Sequence, residues 1–164
     1  GPTPRQVAQL AIDRMELRAI DIGITPEPGP DRVGVVGMPV WLWATQPDNH
    51  TVGPITASAS AGGITISATA RLQKLTWAMG DDAEVTCTGP GTPYKASYGK
   101  KKSPDCGHVY DRSSSRRSGG KFIVTATSDW AINWEGAGQT GTIGLDGLQR
   151  SVAIAIGEAQ VLAR

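Results

Sequence analysis

The chain has 164 residues, with 16 Lys and Arg against 15 Asp and Glu, and a formal net charge of +1. That balance gives no whole-chain field for a general polyanion binder. The length suits one domain with a single core, and no apolar run approaches the roughly 20 residues that cross a bilayer as a helix. Gly, Ser, Thr, Ala and Val dominate the composition. Short glycine-punctuated segments rich in Thr, Val and Ile argue against a helical protein and for an all-β sandwich or barrel.

Gly1-Pro2 reads as the remnant of a cleaved tag. Thr3-Pro4-Arg5-Gln6 is a capping box with Pro at the first helical position, which predicts a helix from about Pro4 to Glu16. Val7, Ala11 and Met15 fall on one stripe with Leu10 and Leu17 nearby, a face that docks on the sandwich or on a partner. Ile20, Ile22 and Ile24 alternate with small or polar residues as an extended segment does, and Pro26 to Pro30 reads as a stiff linker. The expected division is therefore a helix and Pro-rich linker over 3–30 and a β-sandwich over 31–164.

Val33 to Ala44 is the first strand region, with Trp41 and Trp43 on one face, Leu42 on the other, and Pro39 confining its start to an edge or bulge. Ile55 to Ala61, a Gly62-Gly63 turn and Ile64 to Leu72 predict a hairpin. In its second arm Ile64, Ile66, Ala68, Ala70 and Leu72 share one face, after which the apolar parity changes to Leu75, Trp77 and Met79. A one-residue slip flips every side chain, so a bulge or corner is expected near Gln73-Lys74. Phe122, Val124, Ala126, Trp130, Ile132 and Trp134 share one parity and predict a single long strand whose weak point is Ser128. Gly136-Ala137-Gly138 turns it back into Thr140 to Leu145, and a last strand region runs from Ser151 to Leu162 with a parity break at Gly157.

Cys87 and Cys106 both lie against polar, Gly/Pro-rich loop sequence. In an exported protein they form a disulfide, and closing a loop of this length contributes about 3 kcal/mol. The other reading is two free thiols in a cytosolic protein. His108 is close in sequence, but a structural zinc site needs four ligands and none completes this one.

The order of residues from Leu75 to Thr127 resembles the PKD (polycystic kidney disease) domain, an immunoglobulin-like sandwich. That family carries Trp-Asp-Phe-Gly-Asp-Gly, then His-x-Tyr, then a Gly-x-Tyr-x-Val strand. Here the matching residues are Trp77, Gly80 and Asp81, then His108 and Tyr110, then the strand from Gly120 to Val124. Ala78, Met79 and Asp82 depart from the pattern. The resemblance is good over 64–127 and poor elsewhere. It implies an immunoglobulin/PKD-like antiparallel β-sandwich with a short N-terminal helix. It also implies a buried Trp77, a tight Gly80-Asp81 turn capped by the Asp side chain, and a buried Tyr110 tying down a loop. Gly-Pro-Gly-Thr-Pro-Tyr between the cysteines is similar in texture to secreted actinobacterial proteins with a PKD-like region.

Catalytic motifs are missing from the sequence. Neither His50 nor His108 sits in a nucleophile or metalloprotease motif, and no carboxylate pair stands out as a glycosidase acid and base. Gly99-Lys100 and Gly120-Lys121 fail as phosphate loops, because Lys101 and Phe122 stand where Ser or Thr is needed. The chain is expected to be no enzyme, to bind no nucleotide, and to need no cofactor; nucleic acid is a poor candidate partner. Asp81, Asp82 and Glu84 are the only candidate calcium ligands, and one turn supplies fewer oxygens than calcium takes.

One segment suggests binding. Between Cys87 and Gly120 lie Tyr94, Lys95, Tyr98, Lys100, Lys101 and Lys102, then Arg112, Arg116 and Arg117 in a serine-rich stretch that reads as mobile. Basic residues interleaved with tyrosines on a long loop suit an anionic polymer or a protein partner; the other reading is a solvated, partly disordered loop with no ligand. The expectation is a secreted or cell-surface interaction module binding a wall polymer or protein through 87–120. Two alternatives are a structural subunit of a surface or secretion apparatus docking by its helix, and an accessory domain of a wall-active enzyme.

Overall fold

The computed structural model describes residues 1–159. Helix α1 spans Pro4–Met15, with the Thr3/Gln6 capping box formed reciprocally and Glu16 ending it in the left-handed conformation at φ 50°. The strands are β1 (Asp21–Thr25), β2 (Val33–Val35), β3 (Pro39–Thr45), β4 (Ile55–Ala61), β5 (Ile64–Ala78), β6 (Glu84–Cys87), β7 (Gly107–Val109), β8 (Phe122–Gly136) and β9 (Gln139–Gly157). They form two sheets. The smaller runs β1-β3-β7; the larger runs β2-β9-β8-β5-β4, with β6 beside β5. All pairings are antiparallel except that of β2 with β9.

The long strand β8 explains the layout. Phe122, Val124, Ala126, Ser128, Trp130, Ile132 and Trp134 all point to one buried face, as their parity predicts. The first half of that face meets the small sheet, where Phe122, Val124 and Ala126 join Ile24, Val40, Leu42, Trp77 and Tyr110. The second half meets α1, whose Val7, Ala8, Ala11, Ile12 and Met15 pack on Trp130, Ile132 and Trp134. One sheet face is thus roofed by a sheet at one end and by a helix at the other. The helix stripe docks on its own sandwich.

The hairpin turns at Gly62-Gly63 as expected. The parity change in β5 occurs at Gln73, which has no partner between Leu72 opposite Trp130 and Lys74 opposite Asp129. β9 carries the matching bulge at Gly147, whose φ of +94° favours glycine.

Two expectations of the sequence differ from the structure. The segment before residue 31 is not only helix and linker: β1 pairs along its whole length with β3, and Ile20 and Ile24 are core residues. Alternation placed these isoleucines on a surface, and that surface is the interior of the smaller sheet. The two strand regions expected at 140–145 and 151–162 are one continuous strand, because the bulge at Gly147 absorbs the polar stretch between them; residues 160–162 lie outside the described residues.

Candidate binding surface

Cys87 and Cys106 form a disulfide with Cα atoms 5.7 Å apart. The loop they close lies flat on the outer side of β3. The Leu42 amide donates to the Cys106 carbonyl and the Ala44 amide to the Pro90 carbonyl, while Trp43 and Gly91 make an isolated bridge. Gly91 is required there, since a Cβ on it would stand 2.3 Å from the Leu42 carbonyl oxygen.

An aromatic clamp holds the rest. Trp41, whose ring faces away from the core, is stacked on Tyr98 with centroids 5.1 Å apart and meets Tyr94 edge-on at 5.3 Å. Its indole N–H donates to the Lys101 carbonyl at 2.8 Å, and the Tyr94 hydroxyl donates to the Gly99 carbonyl at 2.9 Å. Tyr94 and Tyr98 are therefore half-buried holders of the loop. Lys95, Lys100, Lys101 and Lys102 project to solvent and make no ion pair among the described residues.

The arginine stretch is also built, not loose. Ser114 is buried; its hydroxyl donates to the Gly120 carbonyl at 2.7 Å and accepts from the Ile156 amide at 2.9 Å. The amides of Arg117 and Gly120 close successive turns onto Ser114 and Arg117. Arg112, Arg116 and Arg117 line a cleft of about 610 Å³ with Ser113, Ser115 and Glu158. Arg112 bonds its neighbour Asp111, and Arg117 lies 3.9 Å from Asp82 and 5.7 Å from the centroid of the Phe122 ring.

The two basic groups flank the same end of the sandwich. Lys100 and Tyr94 line a small groove with Val35, Met38 and Ile156, and Ile156 is the residue that Ser114 bonds.

The motif residues lie behind this surface. Trp77 is fully buried, Gly80 adopts φ +83°, and the Asp81 carboxylate accepts from the Ala83 amide at 3.0 Å and from His108 Nε2 at 2.7 Å. Burial alone raises the Asp81 pKa, but the hydrogen bonds from His108 and Ala83 and the field of His108 outweigh it and hold the carboxyl below its ordinary value. Tyr110 stacks on Phe122 at 4.5 Å and donates its hydroxyl to the Met79 carbonyl at 2.7 Å. Burial, then the nearby Asp81 charge, pushes its phenol well above the usual range. Among the described residues the Asp81–His108 pair hydrogen-bonds no Ser, Thr or Cys side chain; its geometry ties the β5–β6 turn to β7. Asp81 turns inward while Asp82 and Glu84 stand exposed, so the three acids do not converge.

Trp41 is the residue of this surface that sequence reasoning placed on a strand but not under the loop. Its long-range partners left no local signal. No protein-family model, curated protein or solved structure matches this chain significantly.

Proposed function

We propose that this chain is a non-enzymatic binding module of an extracytoplasmic compartment, holding an anionic polymer of the cell envelope against the 87–120 segment. The observation that carries this reading is the clamped loop. Disulfide, Gly91 and the Trp41–Tyr98 stack fix the backbone that presents Lys95, Lys100, Lys101 and Lys102, with no carboxylate paired to them among the described residues. Pre-ordering lowers the entropy cost of binding. Arg112, Arg116 and Arg117 at the same end add guanidinium forks suited to phosphate or carboxylate oxygens.

The disulfide is compatible with an oxidising, extracellular location. The PKD resemblance of 64–127 belongs to the same reading; in its support Trp77 is buried, the Asp81 carboxylate accepts from the Ala83 amide and His108, and the Tyr110 hydroxyl donates to the Met79 carbonyl.

Sedimentation with isolated cell wall, and titration with inorganic polyphosphate, test the proposal at low and high salt. Changing Lys100, Lys101 and Lys102 together to Ala is expected to weaken binding about tenfold or more at low salt, and salt is expected to weaken the unaltered protein. Binding that survives both changes places the ligand elsewhere.

A further inference from the structure

Among the described residues most strand edges are short or lie against another element, and the longest open one belongs to β9. β6 has four residues, β7 and β2 three each. β4 lies under α1, and Arg14 Nη1 donates to its Ser58 carbonyl at 2.8 Å. β1 has five residues, and Arg150 Nε reaches the carbonyl of Ile20 just before it at 3.0 Å. β9 is different. Over its 19 residues β8 covers one side, while β2 covers the other only at Ala155, Ile156 and Gly157. From Gln139 to Gly147 the outer side has no backbone partner among the described residues.

That stretch, Gln-Thr-Gly-Thr-Ile-Gly-Leu-Asp-Gly, has neither Pro nor Lys and only one charge, Asp146. Folded proteins guard open edges with such residues because unpaired N–H and C=O groups recruit another strand. The unpaired outer side runs on to Ile154, but its regular stretch lies between the Ala137-Gly138 turn and the Gly147 bulge, beyond which Arg150 bonds the Ile20 carbonyl.

We infer that this edge pairs antiparallel with the same edge of a second copy, joining two large sheets into one across a twofold axis. The segment overlaps itself fully only when the axis passes through Ile143. Thr142 then faces Gly144 of the second copy, Gly141 faces Leu145, and Thr140 faces Asp146. Gly141, Ile143 and Leu145 share the helix side of the sheet, and Thr140, Thr142, Gly144 and Asp146 share the open side, so both rows match across the junction. The single charge meets a hydroxyl rather than its own copy. Gly141 lacks a Cβ where the indole of Trp134 lies, its ideal position being 2.5 Å from that ring. α1 packs chiefly on β4 and β5, on the far side of β8, and leaves the approach to β9 open. The contact is isologous and closes at two copies.

Light scattering and sedimentation equilibrium of the full chain are expected to give twice the single-chain mass of 17.2 kDa as concentration rises. The register has its own test. Thr142 is exposed, and a Cβ on Gly144 meets nothing within 4 Å, so T142C and G144C retain the fold, checked by their melting temperatures. Opposed residues have Cα atoms about 5 Å apart, within disulfide reach, whereas diagonal neighbours stand about 7–8 Å apart. Mild oxidation of the two variants mixed is expected to give several-fold more intermolecular disulfide than either alone. A single-chain mass up to hundreds of micromolar overturns the inference, and so does a dimer whose cross-linking is no greater in the mixture.

Discussion

Ser128 sits at the seam of the two cores, fully buried on the face of β8 where the small sheet gives way to the helix, and its hydroxyl finds no hydrogen-bond partner among the described residues. A buried unpaired hydroxyl costs about 1–3 kcal/mol, so Ser128→Ala is expected to stabilise the fold by about 1 kcal/mol, measured as a higher urea midpoint with unchanged slope. An unchanged or lower midpoint means that the hydroxyl is satisfied. Tyr110 makes the opposite case. Its phenol is held neutral by burial and by Asp81, so its folded pKa lies above the unfolded value of about 10. The stabilisation is complete below pH 10 and is lost as pH rises through the folded value, because only the unfolded chain ionises first. Asp81 is depressed instead, so its contribution is present above about pH 4 and is lost as pH falls further. Tyr110→Phe is expected to cost about 1–3 kcal/mol at neutral pH by stranding the Met79 carbonyl. It is also expected to flatten the alkaline limb of melting temperature against pH. An alkaline limb identical in the variant assigns that titration to another group.

At the scale of elements, the helix is structural. Val7, Ala8, Ala11 and Met15 are fully buried and Ile12 nearly so, against Trp130, Ile132 and Trp134. At about 1.5–3 kcal/mol for each large apolar side chain, Val7, Ile12 and Met15 alone contribute about 4.5–9 kcal/mol, comparable with a whole domain's net stability. Removing residues 1–18 is therefore expected to abolish cooperative unfolding, followed by near-UV circular dichroism. A truncated chain that melts cooperatively within a few degrees of the full one makes α1 an appendage. Period-two patterns made β8, the hairpin of β4 and β5, and the Gln73 bulge legible, because each is set by the parity of nearby residues. The capping box did the same for α1. What could not be read were decisions made between distant segments. Ile20 and Ile24 alternate identically whether they lie on a surface or inside a second sheet, and nothing near Trp41 announces Tyr94 and Tyr98. The candidate site was legible as composition and not as geometry. The tyrosines that looked like ligand platforms brace the loop, and Ser114 pins a serine run that looked mobile.

For the whole molecule, a net charge of +1 leaves the placement of charges to matter more than their sum. Lys100 and the three arginines of 112–117 lie where β9 finishes, with Asp82, Asp111 and Glu158 among them, and the open edge of β9 lies toward its beginning. The proposed twofold axis at Ile143 is about 14 residues from Gly157, roughly 46 Å at about 3.3 Å per residue. The two cationic ends of a dimer therefore stand roughly 90 Å apart and face opposite ways. A short polyphosphate reaches one end only, whereas a chain of longer contour reaches both and gains from effective concentration. The dimer trapped by mixing T142C with G144C is expected to bind a long polyphosphate at least about tenfold more tightly than the reduced protein held below its association range. Both should bind a short oligomer equally per chain. Equal gains for short and long chains place the anion site near the dimer axis rather than at the ends. Equal affinities throughout, with the dimer intact, mean that one polymer does not bridge the two ends, and leave the location of the site to the lysine variant.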